Sequence, residues 1–148
     1  MKKYLKIANG QGFWGDSIDA PIKLVEGGHI DYLTLDYLAE VTLSIMQRQK
    51  LKNNSTGYAL DFINLVEKIL PKITKNNLKI ITNAGGVNPQ SCREKLLDIY
   101  KNKIKIGVIK GDDIINDIDK LISKGVSFKN MDNDLPFSSI SNKIYSAN

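Results

Sequence analysis

Small and polar residues gather at four places where a strand is predicted to end: Asn9 to Asp16, Asp36, Asn83 to Pro89, and Gly111 to Asp113. In an open parallel sheet or a β/α barrel, ligands bind outside the carboxyl ends of the strands. Carboxylates can transfer protons, carboxamides offer donors and acceptors, and glycine-rich loops expose backbone N–H groups to anions. The sequence therefore predicts a ligand-binding site built from these loops.

The first loop has the spacing G-x-G-x-x-G at Gly10, Gly12 and Gly15. Near a helix start, this pattern can bind a phosphate or carboxylate. Taken alone it is a weak signal, because Phe13 and Trp14 inside it are bulky for a pyrophosphate turn. A tight turn with glycines for steric reasons is an equally good interpretation. The two aromatic residues either line an apolar ligand or hold the loop against the protein.

The loop from Asn83 to Pro89 contains two glycines and two carboxamides. The carboxamides could bind a polar ligand. Asn88 could equally be the N-cap of the next helix, with Pro89 at its first position, and both interpretations can hold together.

These patterns give the following candidates. The catalytic candidates, as polar or proton-transfer groups, are Asp16, Asp36 and Asp112. The ligand-binding candidates are Asn9, Gly10, Gly12, Asn83, Gly85, Gly86, Asn88 and Asp113. For each aspartate the alternative is a solvated or helix-capping side chain. Cys92 has no histidine partner and is predicted to be a buried structural thiol. No metal ligands are assigned and no cofactor is identified.

Apolar periodicity predicts strands alternating with longer helices. The strands are Tyr4 to Ala8, Asp31 to Asp36, Leu78 to Thr82 and Ile104 to Ile109, and the helices are 20–26, 37–50, 58–76, 91–101 and 114–123. A left-handed glycine is expected to end the first helix at Gly27-Gly28, and Pro71 to kink or end the third.

This alternation favours a three-layer α/β fold with a mostly parallel sheet of four to five strands. The fold is expected to be Rossmann-like, with half of a β/α barrel as the alternative. We expect an α/β domain of four β–α units over 1–127 and an irregular C-terminal segment over 128–148, which leads into an incomplete next unit.

Composition narrows the class of protein. A chain of 148 residues is the size of one modest domain, and its single cysteine cannot form an intrachain disulfide. No stretch approaches the ~20 apolar residues of a membrane span, and the N-terminus lacks the apolar region of a signal peptide, which favours a cytoplasmic protein. The net charge of +5 comes from lysines scattered among acidic residues, so neither nucleic acid nor a membrane is an expected partner.

Several ordered motifs resemble the N-terminal domain of the acyclic terpene utilisation (AtuA-like) family. They are Asn9-Gly10-Gln11-Gly12-Phe13-Trp14-Gly15-Asp16, Leu24-Val25-Glu26-Gly27-Gly28, Asp31 through Leu43, Gly57 through Phe62, Thr82 through Pro89 with Cys92, and Val108 through Ile114. The resemblance implies a role in the catabolism of acyclic terpenes or branched acyl compounds at the acyl-CoA level. It implies a small-molecule ligand that is an acyl-CoA or another phosphate-bearing compound.

Members of that family are longer, and a new strand is predicted to start at Ile144 to Asn148. A truncated chain, or one half of a split protein, is the resulting expectation. The alternative to a ligand-binding enzyme is then a non-catalytic assembly module that pairs with a missing C-terminal portion or with itself. Whether the chain is an enzyme stays open at this point.

Overall fold

A computed structural model describes residues 4–101, 103–145 and 147 of the chain. Within it the chain forms two compact units, residues 1–108 and residues 109–148. The division into domains after residue 127 stays a prediction.

The first unit contains a three-stranded parallel sheet and four helices among the residues described. In chain order its elements are β1 (Ile7–Gln11), α1 (Asp19–Gly27), β2 (Tyr32–Leu35), α2 (Glu40–Lys52), α3 (Leu60–Asn76), β3 (Lys79–Thr82) and α4 (Pro89–Tyr100). The strand order is β1-β2-β3, and both pairings are parallel. Helices therefore make both crossovers, as parallel pairing requires.

The core lies on one face of this sheet. Leu33 and Leu35 of β2 are buried in the same cluster as the apolar stripe of α3, and α1 contacts both β1 and α3. Helix α4 joins this cluster, and the Tyr100 hydroxyl donates to the backbone oxygen of Ile63 at 3.0 Å. On the opposite face, Ile7 is 65% exposed and Ile81 is 58% exposed. Period-two alternation in the strands thus separates a buried face from an exposed one.

The α/β class and the parallel sheet are confirmed, but the described residues contain three strands rather than four or five. The predicted strand from Ile104 to Ile109 is wrong. Ile104 and Ile106 pack partly against the core, which explains their alternation. The backbone between them forms no ladder, and the Ile106 oxygen accepts a hydrogen bond from Arg93 Nε at 3.4 Å. The three-layer, Rossmann-like arrangement is not confirmed, and consecutive strand order is compatible with both an open sheet and part of a barrel.

Two local expectations also differ from the structure, and a third is narrowed. Strand β1 begins at Ile7 rather than Tyr4 and extends through Gln11, because pairing with β2 outweighs the poor strand propensity of these residues. Gly28 ends α1 in an extended conformation, with φ of −166°, rather than a left-handed one. Pro71 does not end α3, which continues through it to Asn76, and a kink, the other expected effect of this proline, stays a prediction.

Among its described residues the second unit contains one α-helix, α5 (Ile118–Ser123), and three turns of 3-10 helix at Ile115–Asp117, Phe137–Ser139 and Ser141–Lys143. Lys129 and Pro136 form an isolated antiparallel bridge, and the rings of Phe128 and Phe137 pack with centroids 6.3 Å apart. Ile144 and Tyr145 are not in a strand, while Ser146 and Asn148 of the predicted strand start lie outside the described residues.

In the part of the chain that the structure describes, every helix is too short or too polar to cross a membrane.

Candidate functional site

The three strands end in register at one edge of the sheet. Gln11 pairs with Leu35, and Leu35 pairs with Thr82. Gly12, Asp36 and Asn83 are the first residues after these three strands. Neighbouring strands of a sheet lie about 4.8 Å apart, so the three residues begin side by side at this edge. The helices α1, α2 and α4 follow β1, β2 and β3, so their N-termini, which carry partial positive charge, lie toward this edge.

Asp36 and Asn83, both predicted site residues, are in direct contact. Asn83 Nδ2 donates to Asp36 Oδ1 at 2.7 Å, and Asn83 Oδ1 accepts from the backbone N–H of Tyr37 at 2.7 Å. The backbone N–H of Leu38 donates to the same Asp36 oxygen at 3.2 Å. Both side chains remain exposed, so the structure forms a fixed carboxylate and carboxamide pair that solvent can reach.

Asp16 closes the loop after β1. Its Oδ2 accepts from the Gly12 N–H at 3.1 Å, and its Oδ1 accepts from the Ser17 N–H at 2.8 Å. The Gly12 donor, which the glycine pattern assigned to an anion, is therefore used within the loop. Trp14 Nε1 donates to Asp61 Oδ1 at 2.9 Å, so Trp14 holds the loop to α3, whereas Phe13 is 61% exposed.

Three glycines at this edge are required by close packing. A Cβ on Gly10, which lies within β1, would be 2.8 Å from Pro21 Cβ, so Gly10 lets α1 approach the strand. Gly86 has φ of +52°, and a Cβ there would meet Met46 Sδ and, at 2.8 Å, the Gly57 oxygen. A Cβ on Gly85 would lie 2.7 Å from Pro89 Cβ. These contacts explain the glycines sterically, and their role in ligand binding stays a prediction.

The remaining carboxamides have structural partners. Asn88 caps α4, because its Oδ1 accepts from the Ser91 N–H at 3.4 Å, which confirms the N-cap interpretation. Asn88 Nδ2 donates to the backbone oxygens of Asn54 and Thr56, both at 2.8 Å. The Asn9 carboxamide is exposed on β1, and its nitrogen lies 3.1 Å from Thr34 Oγ1 in the amide orientation that satisfies both of its atoms.

Asp112 and Asp113 belong to the second unit. Asp113 Oδ1 accepts from the Ile115 N–H at 3.2 Å at the start of the 3-10 turn, and Asp112 is exposed. Across the described ranges, no cluster of three or more histidine, cysteine, aspartate or glutamate side chains is placed to hold a metal ion.

Sequence reasoning missed two buried polar side chains close to the strand ends, Gln11 and Tyr37. Gln11 is 2% exposed and Tyr37 is fully buried. Burial, and next the charge of Asp61, raise the pKa of Tyr37 well above its ordinary value, so the phenol is neutral at any physiological pH. Burial raises the pKa of the Cys92 thiol to about 11, and the prediction of a buried structural thiol is confirmed. No pattern in the sequence distinguishes Gln11 from its loop neighbours.

The hydrogen bonds that Asn83 makes predict that Asn83→Ala destabilises the protein. The variant loses the acceptor of the Tyr37 N–H and the donor to Asp36, so we expect the free energy of unfolding to fall by about 1–3 kcal/mol. Chemical denaturation of both proteins measures the change.

Asn64→Ala, which truncates an exposed carboxamide on α3, is the matched control and should stay within about 0.5 kcal/mol of the native protein. Equal stability of the two variants would show that Asn83 does not hold the edge together.

In a comparison with protein families, the family described as acyclic terpene utilisation family protein AtuA matches residues 5–148. Curated proteins give no significant match. Solved structures give none either. The family match spans nearly the whole chain and both units, including the loops that form the edge described above. The chain therefore belongs to the acyclic terpene utilisation family AtuA.

Proposed function

We propose that this protein acts in the breakdown of acyclic terpenes or related branched acyl compounds, and that the carboxyl edge of its sheet binds an anionic small molecule of acyl-CoA type. Family membership supports the terpene role. Gly12, Asp36 and Asn83 directly follow three strands whose last residues pair with one another. This arrangement supports the carboxyl edge of the sheet as the location of the binding site. A cytoplasmic location stays a prediction.

The positive ends of three helices are the feature that favours an anion. Helices α1, α2 and α4 each begin just after a strand of the sheet, and helix N-termini attract phosphate and carboxylate groups. Backbone donors of the glycine loops contribute less than the sequence suggests. The Gly12 N–H donates to the Asp16 carboxylate, and the Gly86 N–H donates to the backbone oxygen of Asn83 at 3.0 Å.

Asp16 and Asp36 place negative charge at this edge of the sheet. Asp36 is held in place by hydrogen bonds from Asn83 and from the Leu38 N–H. Its exposed carboxylate can therefore accept a proton, or a hydrogen bond from a hydroxyl of the ligand. A phosphate at the helix N-termini would sit beside these carboxylates and be repelled by them. The attraction of the helices and the repulsion of the aspartates therefore act on the same ligand.

This arrangement predicts that Asp36→Asn binds CoA and isovaleryl-CoA more tightly than the native protein does. An amide oxygen can still accept from Leu38 and Asn83, so the fold is kept while one negative charge is removed. We expect the Kd to fall about two- to fivefold, which corresponds to ~0.5–1 kcal/mol. Isothermal titration calorimetry at about 0.1 M salt measures it.

Asp98→Asn is the control for the change in net charge. Asp98 is exposed in the last turn of α4, about 13 Å along the helix from its N-terminus, which exceeds the Debye length at 0.1 M salt. Its Kd should match that of the native protein. No binding of either compound to the native protein, or equal or weaker binding to Asp36→Asn, would contradict an anion at this edge.

A second candidate function is an assembly module that docks another chain segment or a second copy of this chain. The exposed face of the sheet favours it, since parallel sheets are normally covered on both faces. Ile7 and Ile81 lie on that face, and both are largely exposed. The complementary chain or self-association expected from the sequence would cover these residues.

Sedimentation velocity over a range of concentrations tests this second candidate. The native chain should show a rising average mass that Ile81→Lys abolishes, because a charge on the face opposes its burial. Leu51→Lys, which changes an exposed residue of α2, should self-associate like the native chain. A compact monomer at every concentration would count against self-association.

A further inference from the structure

The exposed face of the sheet, opposite the core, carries a defined set of side chains. Alternation along β2 buries Leu33 and Leu35, so Tyr32 and Thr34 lie on the exposed face, and Asp36 continues their row just past the strand. The same alternation applies to β3, and to β1 as far as its bulge. The side chains of the exposed face are Ile7, Asn9, Tyr32, Thr34, Asp36, Lys79, Ile81 and Asn83.

The four helices of the first unit pack on the other side of the sheet. Val25 of α1, Met46 of α2 and Leu96 of α4 belong to the same buried cluster as the apolar stripe of α3. Parallel sheets are normally covered on both faces. Ile7 and Ile81 nevertheless remain largely exposed, so this face carries apolar surface that the described residues do not cover.

Opposite charges lie at the two ends of the exposed face. Lys79 Nζ lies 5.3 Å from the centre of the Tyr32 ring and donates to the Tyr32 hydroxyl at 3.4 Å, so the ammonium lies over the amino end of the middle strand β2. Asp36 follows the carboxyl end of the same strand, about 13 Å from Tyr32. The hydrogen bonds from Asn83 and Leu38 both go to Asp36 Oδ1, so Oδ2 is available to a cation.

We propose that the exposed face packs against the same face of a second copy of this chain, with the strands of the two sheets antiparallel and Lys79 of each copy paired with Asp36 of the other. This inference rests on the assembly function proposed above and identifies the partner.

The geometry of the face permits this arrangement. Thr34 lies midway between Tyr32 and Asp36, and Ile81 pairs with Thr34 in the sheet. A twofold axis that crosses the strands at this row exchanges the amino end of one face with the carboxyl end of the other. Stacked sheets lie about 10 Å apart, at which distance their side chains meet. Each ammonium then lies opposite a carboxylate, and Ile81 packs against Ile81 of the second copy.

A second copy fits this face because the charge pattern is complementary to itself. Antiparallel stacking about a twofold axis brings unlike charges together at both ends. Parallel stacking would place Lys79 against Lys79 and Asp36 against Asp36, and like charges across an interface are strongly unfavourable. An apolar helix from another protein would cover both charged groups without supplying a counter-charge. The charges therefore select both the partner and its orientation.

The size of the face limits the strength of the dimer. Three strands of four or five residues present a surface of about 15 by 17 Å, or roughly 250 Å². Standard-size complexes bury about 800 Å² on each partner, so we expect a weak dimer with a Kd of about 0.1–1 mM. An interface of this size should be sensitive to reversal of either charge.

Charge exchange between the two positions tests the dimer. Lys79→Glu and Asp36→Lys should each weaken self-association at least about tenfold, because each variant places like charges at both ends of the dimer. An equimolar mixture of the two variants should dimerise again, since one copy of each has opposite charges at both ends. Sedimentation velocity up to about 1 mM protein at about 50 mM salt measures the average mass. A mixture as monomeric as its components, or a native chain that stays monomeric, would overturn the proposal.

Lys68→Glu is the control for the change in net charge. Lys68 is exposed on α3, which packs on the other side of the sheet, so this variant should associate like the native chain. Equal weakening of association by Lys68→Glu and Lys79→Glu would show that net charge, rather than the exposed face, governs association, and would overturn the proposal.

Cross-linking of the native chain covers the case in which Asp36→Lys, which loses the hydrogen bonds from Asn83 and Leu38, does not fold. A carbodiimide joins an amine to a carboxylate where the two groups are in contact. In a mixture of isotope-labelled and unlabelled native chains, mass spectrometry should find Lys79 joined to Asp36 between one labelled and one unlabelled copy. Absence of this cross-link between copies would overturn the proposal.

Titration of the native chain with CoA separates this inference from the proposed anionic ligand. CoA binding together with a monomeric mixture of the two charge variants would remove the dimer and leave the ligand site. Dimerisation of that mixture without CoA binding to the native chain would remove the anionic ligand and leave the dimer.

Discussion

One carboxamide joins the end of β3 to the turn that follows β2, and the candidate site depends on it. Asn83 accepts from the backbone of Tyr37 and donates to the carboxylate of Asp36. These two adjacent residues then take opposite environments, since Asp36 is exposed at the edge and Tyr37 is fully buried. A single pair of hydrogen bonds thus sets both the polar surface of the edge and the position of the buried hydroxyl behind it.

The end of strand β1 is shaped by a glycine and by a β-bulge. The absence of a side chain at Gly10 lets Pro21 of α1 come close to the strand. The bulge at the same place turns Gln11 inward, so that its side chain is only 2% exposed.

The sequence was sufficient for those features that depend on local pattern. Strand and helix periodicity located β2, β3 and most helices, and strand-end reasoning placed Asp36 and Asn83 at one edge, where the structure joins them. The N-cap role of Asn88 follows from its position before Pro89. The burial of Gln11 was not predictable, because it depends on a bulge, and a bulge depends on how β1 pairs with a strand more than twenty residues away. The strand predicted from Ile104 to Ile109 was wrong because local pattern was misleading there. The alternation reflects partial burial of Ile104 and Ile106 against the core, and this segment does not pair with the sheet.

The glycines show how one pattern can support two explanations. Gly10, Gly12 and Gly15 have the spacing of a phosphate-binding turn, yet the structure uses Gly10 for helix packing and the N–H of Gly12 for Asp16. What favours an anion is therefore the convergence of helix N-termini rather than the glycine pattern. The most direct test of the account is backbone amide chemical-shift mapping during titration with isovaleryl-CoA. The account predicts that the largest changes occur at Gly12, Asp36 and Asn83, whereas changes confined to the exposed sheet face around Ile7 and Ile81, or no changes at saturating ligand, would contradict it.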